Sequence, residues 1–476
     1  MTYIKKLFFF SLTLLIIKLI VLPYVHEIDA DAISRVYKSL QFEKNPHIIK
    51  SGNWPPIFFY IMGGALKIYN NQFFTPVFVN ILFSILLLFP LFHLLKRLFD
   101  DKTSFLLCIF FSFSPIVFRM SMLAMSEISY LFFVILSLYV LSKGLIEKKT
   151  LMIVLAGFIM SVAGGIRYES WILGSLIILY IAYYKSIKEA LLFSLTFVII
   201  PVYWITSSFI NTNDALNSFN WAIDLPAKNS IDSVDTFLRR IWWHPLSLMF
   251  AFGPIAFYFF IKEVKHYKTN RVSYLLSITL LIFFIIWIIN SLRGSLLLQH
   301  RFIITFFLLS FPFIGFYFKK NPKNLNIKTL IFSLSAFFFA FIYSSKGARP
   351  IPRLLTKDAQ KVSEIINNNV DYNSGLICDF WNWETTYYIP FSTNLPEHKK
   401  EIIDKYDDIV SVHLQIAALT KNNKNGVMLV KKKSTLYNIL KKTEGKYRYS
   451  INQIRIDLET IFENESILCF KYSESN

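Results

Sequence analysis

Residues 7–35 read LFFFSLTLLIIKLIVLPYVHEIDADAISR, and the change of character inside this stretch decides the fold. From Leu7 to Tyr24 the only charge is Lys18, the pattern of a helix that crosses a bilayer. Glu27, Asp29 and Asp31 follow at once, with Arg35 four residues after Asp31. A carboxylate at the end of a membrane helix sits at the lipid–water boundary. There it can act on a hydroxyl presented from water while a second substrate arrives from the bilayer.

Working outward, further apolar stretches lie near 76–95, 104–118, 127–142, 151–166, 171–184, 190–210, 246–261, 273–290, 302–318 and 328–345. With 54% hydrophobic residues and 49 Phe among 476 residues, the chain reads as a polytopic α-helical membrane protein of about eleven transmembrane helices. Lys18 is expected to snorkel toward the interface. The short apolar segment 55–69 opens on Pro55-Pro56 and is expected to lie in the interface, as a helix within a first outer loop, 25–75. Lys5 and Lys6 before an apolar run also suggest a signal peptide. The run is long for that role, however, and the small-residue pattern at Ala30-Asp31-Ala32 lies beyond its end.

Basic residues set the orientation. Lys5 and Lys6, Lys96, Arg97 and Lys102, Lys143 to Lys149, Lys185 and Lys188, Lys262 to Arg271, and Lys319 to Lys328 all share one side if eleven spans alternate. The positive-inside rule makes that side the cytoplasm. The N-terminus is then cytoplasmic in a plasma membrane, and the loop 25–75, the loop 211–245 and the tail face outward. The net charge of +19 reflects topology and attraction to anionic lipid. No basic helix or aromatic–basic interleave accompanies it, so nucleic acid is not expected as a partner.

The chain thus divides into a membrane module, 1–345, and a soluble extracytoplasmic domain, 346–476, hinged at Pro350 and Pro352. In the tail 356–369 and 434–442 read as helices, and 375–380, 426–431 and 467–472 as strands of a small α/β layer. Cys378 and Cys469 are either two unpaired strand residues or a disulfide. With Cys108 they show no metal-ligand spacing. Asp379, Trp381, Trp383 and Glu384 follow the first strand, as a buried aromatic corner or a sugar-stacking loop.

The candidate chemistry lies at the outer ends of the spans. On a helix Asp31 and Arg35 share one face, as a base beside a phosphate-gripping guanidinium or as a solvated ion pair. Trp54-Pro55-Pro56 anchors an interface and could shape a pocket. Ser126-Glu127 begins the fourth span, where a carboxylate is costly unless paired or working. It is also a favourable acid at a helix start. Arg167 and Glu169 stand between two spans with almost no loop, paired with each other or with Glu127, or holding substrate. Arg293, His300 and Arg301 are outward cations before the tenth span, suited to an anionic lipid headgroup. His300 is read as a satisfied interface residue rather than a catalyst. No phosphate-binding glycine loop, dinucleotide fingerprint or zinc motif occurs.

In this order and on this side, the acids Asp29 and Asp31, Trp54-Pro55-Pro56, Ser126-Glu127, Arg167-Tyr168-Glu169 and His300-Arg301 resemble the GT-C class of membrane glycosyltransferases, in particular its protein-mannosyltransferase-like and aminoarabinose-transferase-like members (glycosyltransferase family 39-like). The resemblance covers the whole membrane part. It implies transfer of a sugar, with inversion, from a polyprenyl-phosphate-linked donor to a glycan, lipid or protein acceptor on the extracytoplasmic face. The first-loop acid would be the base. Many relatives carry adjacent acids there, whereas this chain has Asp29-Ala30-Asp31; the register with Arg35 favours Asp31. Arg35, Glu127, Arg167, Glu169, Arg301, Arg293 and Trp54 would contact substrate. No cofactor is required, although the acidic cluster could hold a divalent cation. The tail is expected to recognise acceptor. The alternatives are a lipid or solute transporter, which would carry mid-span charge pairs and repeated halves, and a receptor or assembly factor that binds a partner through the tail.

Overall fold

The computed structural model describes residues 2–24, 30–217, 220, 234–264, 271–293 and 298–343, and in the tail 357–371, 374–379, 389–390, 392–393, 395, 399–403, 409–432, 434–443, 446–451, 454–465 and 467–474. The chain divides into two compact units, one of Met1–Val25 and Lys38–Pro352, the other of His26–Tyr37 and Arg353–Asn476.

The first unit is helical. In chain order come α1 (Tyr3–Val21), α2 (Ala30–Lys44, whose first half belongs to the second unit), α3 (Ile57–Ile68), α4 (Thr75–Leu86), α5 (Leu88–Leu95), α6 (Asp101–Ser112) and α7 (Pro115–Ser121). Then follow α8 (Ser126–Glu147), α9 (Thr150–Gly164), α10 (Glu169–Tyr184), α11 (Ile187–Phe197), α12 (Ile199–Thr212), α13 (Val234–Phe252), α14 (Pro254–Glu263), α15 (Arg271–Leu292), α16 (Ile304–Ser310), α17 (Pro312–Lys320) and α18 (Leu325–Tyr343). Each apolar stretch of the sequence coincides with one of these helices or with two in succession. Among the described residues three runs are long and apolar enough to cross a membrane alone: Thr75–Leu95, Ser126–Glu147 and Leu325–Ile342. The number rises to seven if each of four bent pairs is one span. The protein is an integral membrane protein.

The bends have local causes. Proline lacks the N–H that would continue a helix but suits a first turn. Pro115, Pro254 and Pro312 accordingly open the second helix of three pairs, bent by 63°, 109° and 45°. At the sharpest bend Gly253 adopts φ 74°, and a Cβ there would lie 2.5 Å from Ala336 Cα on α18. Two bends are tied together, because Ser114 Oγ donates to Ala251 O at 2.7 Å. Lys18 does not snorkel. It is 1% exposed, donates to Ser84 Oγ of α4 at 2.7 Å, and lies 5.4 Å from the Phe118 ring centre. A hydroxyl and an aromatic face inside the bundle take the place of headgroups.

The second unit is built on a mixed seven-stranded sheet: β1 (Gly375–Cys378), β2 (Lys400–Ile402), β3 (Asn425–Lys431), β4 (Lys441–Thr443), β5 (Lys446–Ile451), β6 (Ile454–Glu463) and β7 (Ile467–Glu474). The strand order is β2-β1-β3-β7-β6-β5-β4, with β2, β1 and β3 parallel and the remaining pairings antiparallel. Helices α19 (Lys357–Asn369), α20 (Ile409–Asn422) and α21 (Thr435–Ile439) complete it. Val412, Ile416 and Leu419 of α20 join Met428, Val430, Leu468 and Phe470 in one buried core. The sequence reading of 434–442 as a single helix is corrected. Helix α21 stops at Ile439, Leu440 is extended, and 441–443 pair with β5 as an edge strand.

Cys378 and Cys469 both face Leu429 in register, one from each side of β3. Two strand spacings, roughly 9–10 Å, exceed the reach of a disulfide, and both thiols are free and buried. Asp379 accepts from Lys431 N at 3.1 Å and from the Ser434 hydroxyl, closing the turn between β3 and α21. That is structural work. Trp381, Trp383 and Glu384 lie outside the described residues.

Candidate active site

Four charged side chains from three places in the chain converge within the helical unit. Ser126 and Glu127 start α8 and Glu169 starts α10, so both carboxylates lie where a helix presents unpaired N–H groups and a positive dipole end. Arg167 occupies the short link between α9 and α10. Arg301 lies in a 3-10 turn, His300–Ile303, that leads into α16.

Arg167 is the hub. Its Nη1 donates to Glu127 Oε1 at 2.6 Å and to Ser126 Oγ at 3.3 Å; its Nη2 and Nε donate to Glu169 Oε1 at 2.6 and 3.0 Å. Arg301 Nε stands 3.9 Å from the same Glu127 oxygen, and its Nη1 donates to Met125 Sδ at 3.6 Å. Phe302 lies against both guanidiniums, its ring centre 5.9 Å from Arg167 Cζ and 5.4 Å from Arg301 Cζ. All four charged groups are buried, and Glu127 is fully so. Burial opposes the charge on Arg167, but the carboxylates of Glu169 and Glu127 outweigh it and raise its pKa. Two positive and two negative groups thus balance, which is the condition under which buried charge is tolerated.

The neighbouring scaffold is specific. Ile57 N–H donates to Gly165 O at 2.8 Å, tying the start of α3 to the link that carries Arg167. Trp204 Nε1 donates to Tyr168 OH at 3.0 Å. One turn into α8, Tyr130 OH and Thr305 Oγ1 are 3.3 Å apart. His300 stacks on Trp243, with 4.4 Å between ring centroids, and its Nδ1 is 2.7 Å from Ser247 Oγ.

Glu127, Arg167, Glu169 and Arg301, each singled out in the sequence, therefore come together. Trp54 is half-buried with Lys38 Nζ 5.0 Å over its ring. Arg293 is exposed just past the end of α15. Asp31 lies half-buried in the first turn of α2, and Arg35, on the same helix, is 4% exposed. Asp29 and Glu27 lie outside the described residues. Met125, Tyr130, Thr305, Trp243 and Ser247 were not legible as site residues, because nothing in an apolar run marks which Met, Tyr, Trp, Ser or Thr turns toward a charge. Among the described residues no three His, Cys, Asp or Glu come together to hold a metal ion.

Residues 53–215 match the family model described as dolichyl-phosphate-mannose-protein mannosyltransferase. No curated protein matches the sequence. Among solved structures the chain is similar to ArnT from Cupriavidus metallidurans bound to undecaprenyl phosphate. That match has 11% identity and a TM-score of 0.70, over 98% of this chain and 98% of that chain. ArnT from the same organism in the apo state gives 10% identity and a TM-score of 0.60, over 98% and 97%. The Archaeoglobus fulgidus oligosaccharyltransferase in complex with Zn and sulfate gives 12% and 0.55, over 85% of this chain and 64% of that chain. At such identities the likeness is one of fold. The family match contains Glu127, Arg167 and Glu169, and over nearly its whole length the chain shares the fold of the ArnT structures.

Proposed function

We propose that this protein moves a sugar from a polyprenyl-phosphate-linked donor to a hydroxyl of a glycan, lipid or protein acceptor, with inversion, on the outer face of the plasma membrane. The observation that carries the reading is the buried, charge-balanced cluster in which Arg301 approaches a carboxylate already bound by Arg167, inside a GT-C fold. Undecaprenyl phosphate in the similar ArnT structure supports a lipid phosphate as the donor's carrier. In this reading the membrane module is 1–345, crossing eleven times from a cytoplasmic N-terminus, and 346–476 is extracytoplasmic.

Asp31 or Asp29 takes the proton of the acceptor hydroxyl. The hydroxyl oxygen attacks the anomeric carbon from the face opposite the phosphate, the bond from that carbon to the phosphate oxygen breaks, and the lipid phosphate leaves. Arg301, helped by Arg35 or Arg293, takes up the charge that develops on the leaving oxygen. Arg167, already held by two carboxylates, keeps Glu127 and Glu169 oriented toward sugar or acceptor, and Trp54 shapes the approach. A monophosphate leaving group paired with arginine needs no bound metal. A divalent cation, if used, would sit on the first-loop acids.

Mass spectrometry of lipids from cells lacking the chain tests the class of reaction, since an accumulated lipid-linked monosaccharide identifies the donor. Asp29→Asn and Asp31→Asn are expected to abolish transfer while membrane insertion persists. Full activity in the double variant would remove the base assignment.

A further inference from the structure

We infer that Asn80 is a positioning residue of this site, acting on Glu127 and Arg301 through the turn that leads into α8. Asn80 lies in α4 and is wholly buried. Its Nδ2 donates to the carbonyls of Leu123 and Met125, at 2.5 and 2.6 Å. These two carbonyls bracket the turn between α7 and α8. Met125 is the N-cap of α8 and takes the hydrogen bond of Arg301 on its sulfur. Two residues on, Glu127 accepts the hydrogen bond of Arg167 at 2.6 Å and stands 3.9 Å from Arg301 Nε. One amide therefore fixes the backbone from which both partners of Arg301 project.

Asn80 is not explained by stability alone. Its Oδ1 is buried with no hydrogen-bond partner among the described residues, a cost that an apolar side chain of similar size would avoid. Leu123 O keeps the Met125 N–H at 2.8 Å without it, so the turn survives the loss. What it loses is a fixed orientation, and a misplacement of about 1 Å is enough to impair catalysis. The substrate side of this inference rests on the glycosyltransferase reading. Its geometric side does not.

The test is a double-variant cycle on the full-length protein in detergent: wild type, Asn80→Leu, Arg301→Met and the double variant. Melting midpoints come first, since they involve no substrate. Shifts that fall well short of additive support coupling through the turn, and additive shifts overturn it. Binding of undecaprenyl phosphate to the same four proteins comes second. Asn80→Leu is expected to weaken it roughly tenfold, and the double variant is expected to bind no worse than Arg301→Met alone. Unchanged binding in Asn80→Leu overturns the inference. Wild-type protein that binds no undecaprenyl phosphate overturns the lipid-phosphate reading instead, and the melting cycle then decides Asn80. If Asn80→Leu does not fold, Asn80→Ser, which keeps one donor, enters the same cycle.

Discussion

Glu127 Oε1 serves two guanidiniums unequally, at 2.6 Å from Arg167 Nη1 and 3.9 Å from Arg301 Nε. The inequality separates structural from chemical work. Removing Arg167 leaves Glu127 and Glu169 buried without their shared partner, so Arg167→Met is expected to cost about 3–5 kcal/mol of stability, read as a lowered melting midpoint. Arg301→Lys keeps the charge but not the planar fork. It is expected to lower turnover by roughly 10²-fold while the midpoint moves little. Equal destabilisation by both variants would reverse these roles. EDTA is expected to leave transfer unchanged, and a loss restored by a divalent cation would assign a metal to the acids near Asp31. At this scale the sequence showed which charges stood in apolar surroundings. It could not show which oxygen met which nitrogen, because Glu127 and Arg167 meet across two helices.

At the scale of elements, the bent helices place the site. Among the described residues Gly253 is the one glycine whose backbone, at φ 74°, and whose surroundings, with Ala336 Cα 2.5 Å from a built Cβ, both exclude a side chain. Gly253→Ala is expected to destabilise by about 1–3 kcal/mol, measured by thermal unfolding in detergent; an unchanged midpoint would show that the 109° bend gives way freely. In the tail, the hydroxyl of Tyr449, whose pKa burial pushes up to about 12, stands 2.5 Å from His413 Nδ1, and burial lowers the His413 pKa. A neutral ring accepts this bond and a protonated one cannot. The contribution is complete above the unfolded value near 6.5 and fades as pH falls toward the lower folded value. Amide exchange in β5 should quicken over that interval in the wild type and not in His413→Phe. Prolines and apolar runs made the helices legible. Strands β2, β4, β5 and β6 were not: β2 and β4 are three-residue edges, and the interior β5 and β6 mix charged with apolar residues, so all four take their order from pairing with neighbours.

For the whole molecule the prediction concerns orientation. Exposed Lys148 and Lys320 belong to the basic side and exposed Asn70 to the first loop. Single cysteines at 148 and 320 are expected to react with a membrane-impermeant thiol reagent only after permeabilisation, and one at 70 in intact cells. The native thiols are buried and give little background. The opposite pattern would put the acids near Asp31 on the cytosolic side and remove the proposed acceptor chemistry.

The sequence by itself determined that this chain lives in a bilayer, where its helices run, and which charges had to be accounted for. Periodicity, proline and the cost of charge in hydrocarbon are local properties that a single strand of residues displays. Only the tertiary structure decided that Lys18 turns to Ser84 instead of the headgroups, that Cys378 and Cys469 stay a strand apart, and that Glu127, Arg167, Glu169 and Arg301 form one cluster. Those outcomes depend on which helix faces and strand edges meet, and residues far apart in the chain carry no record of that meeting.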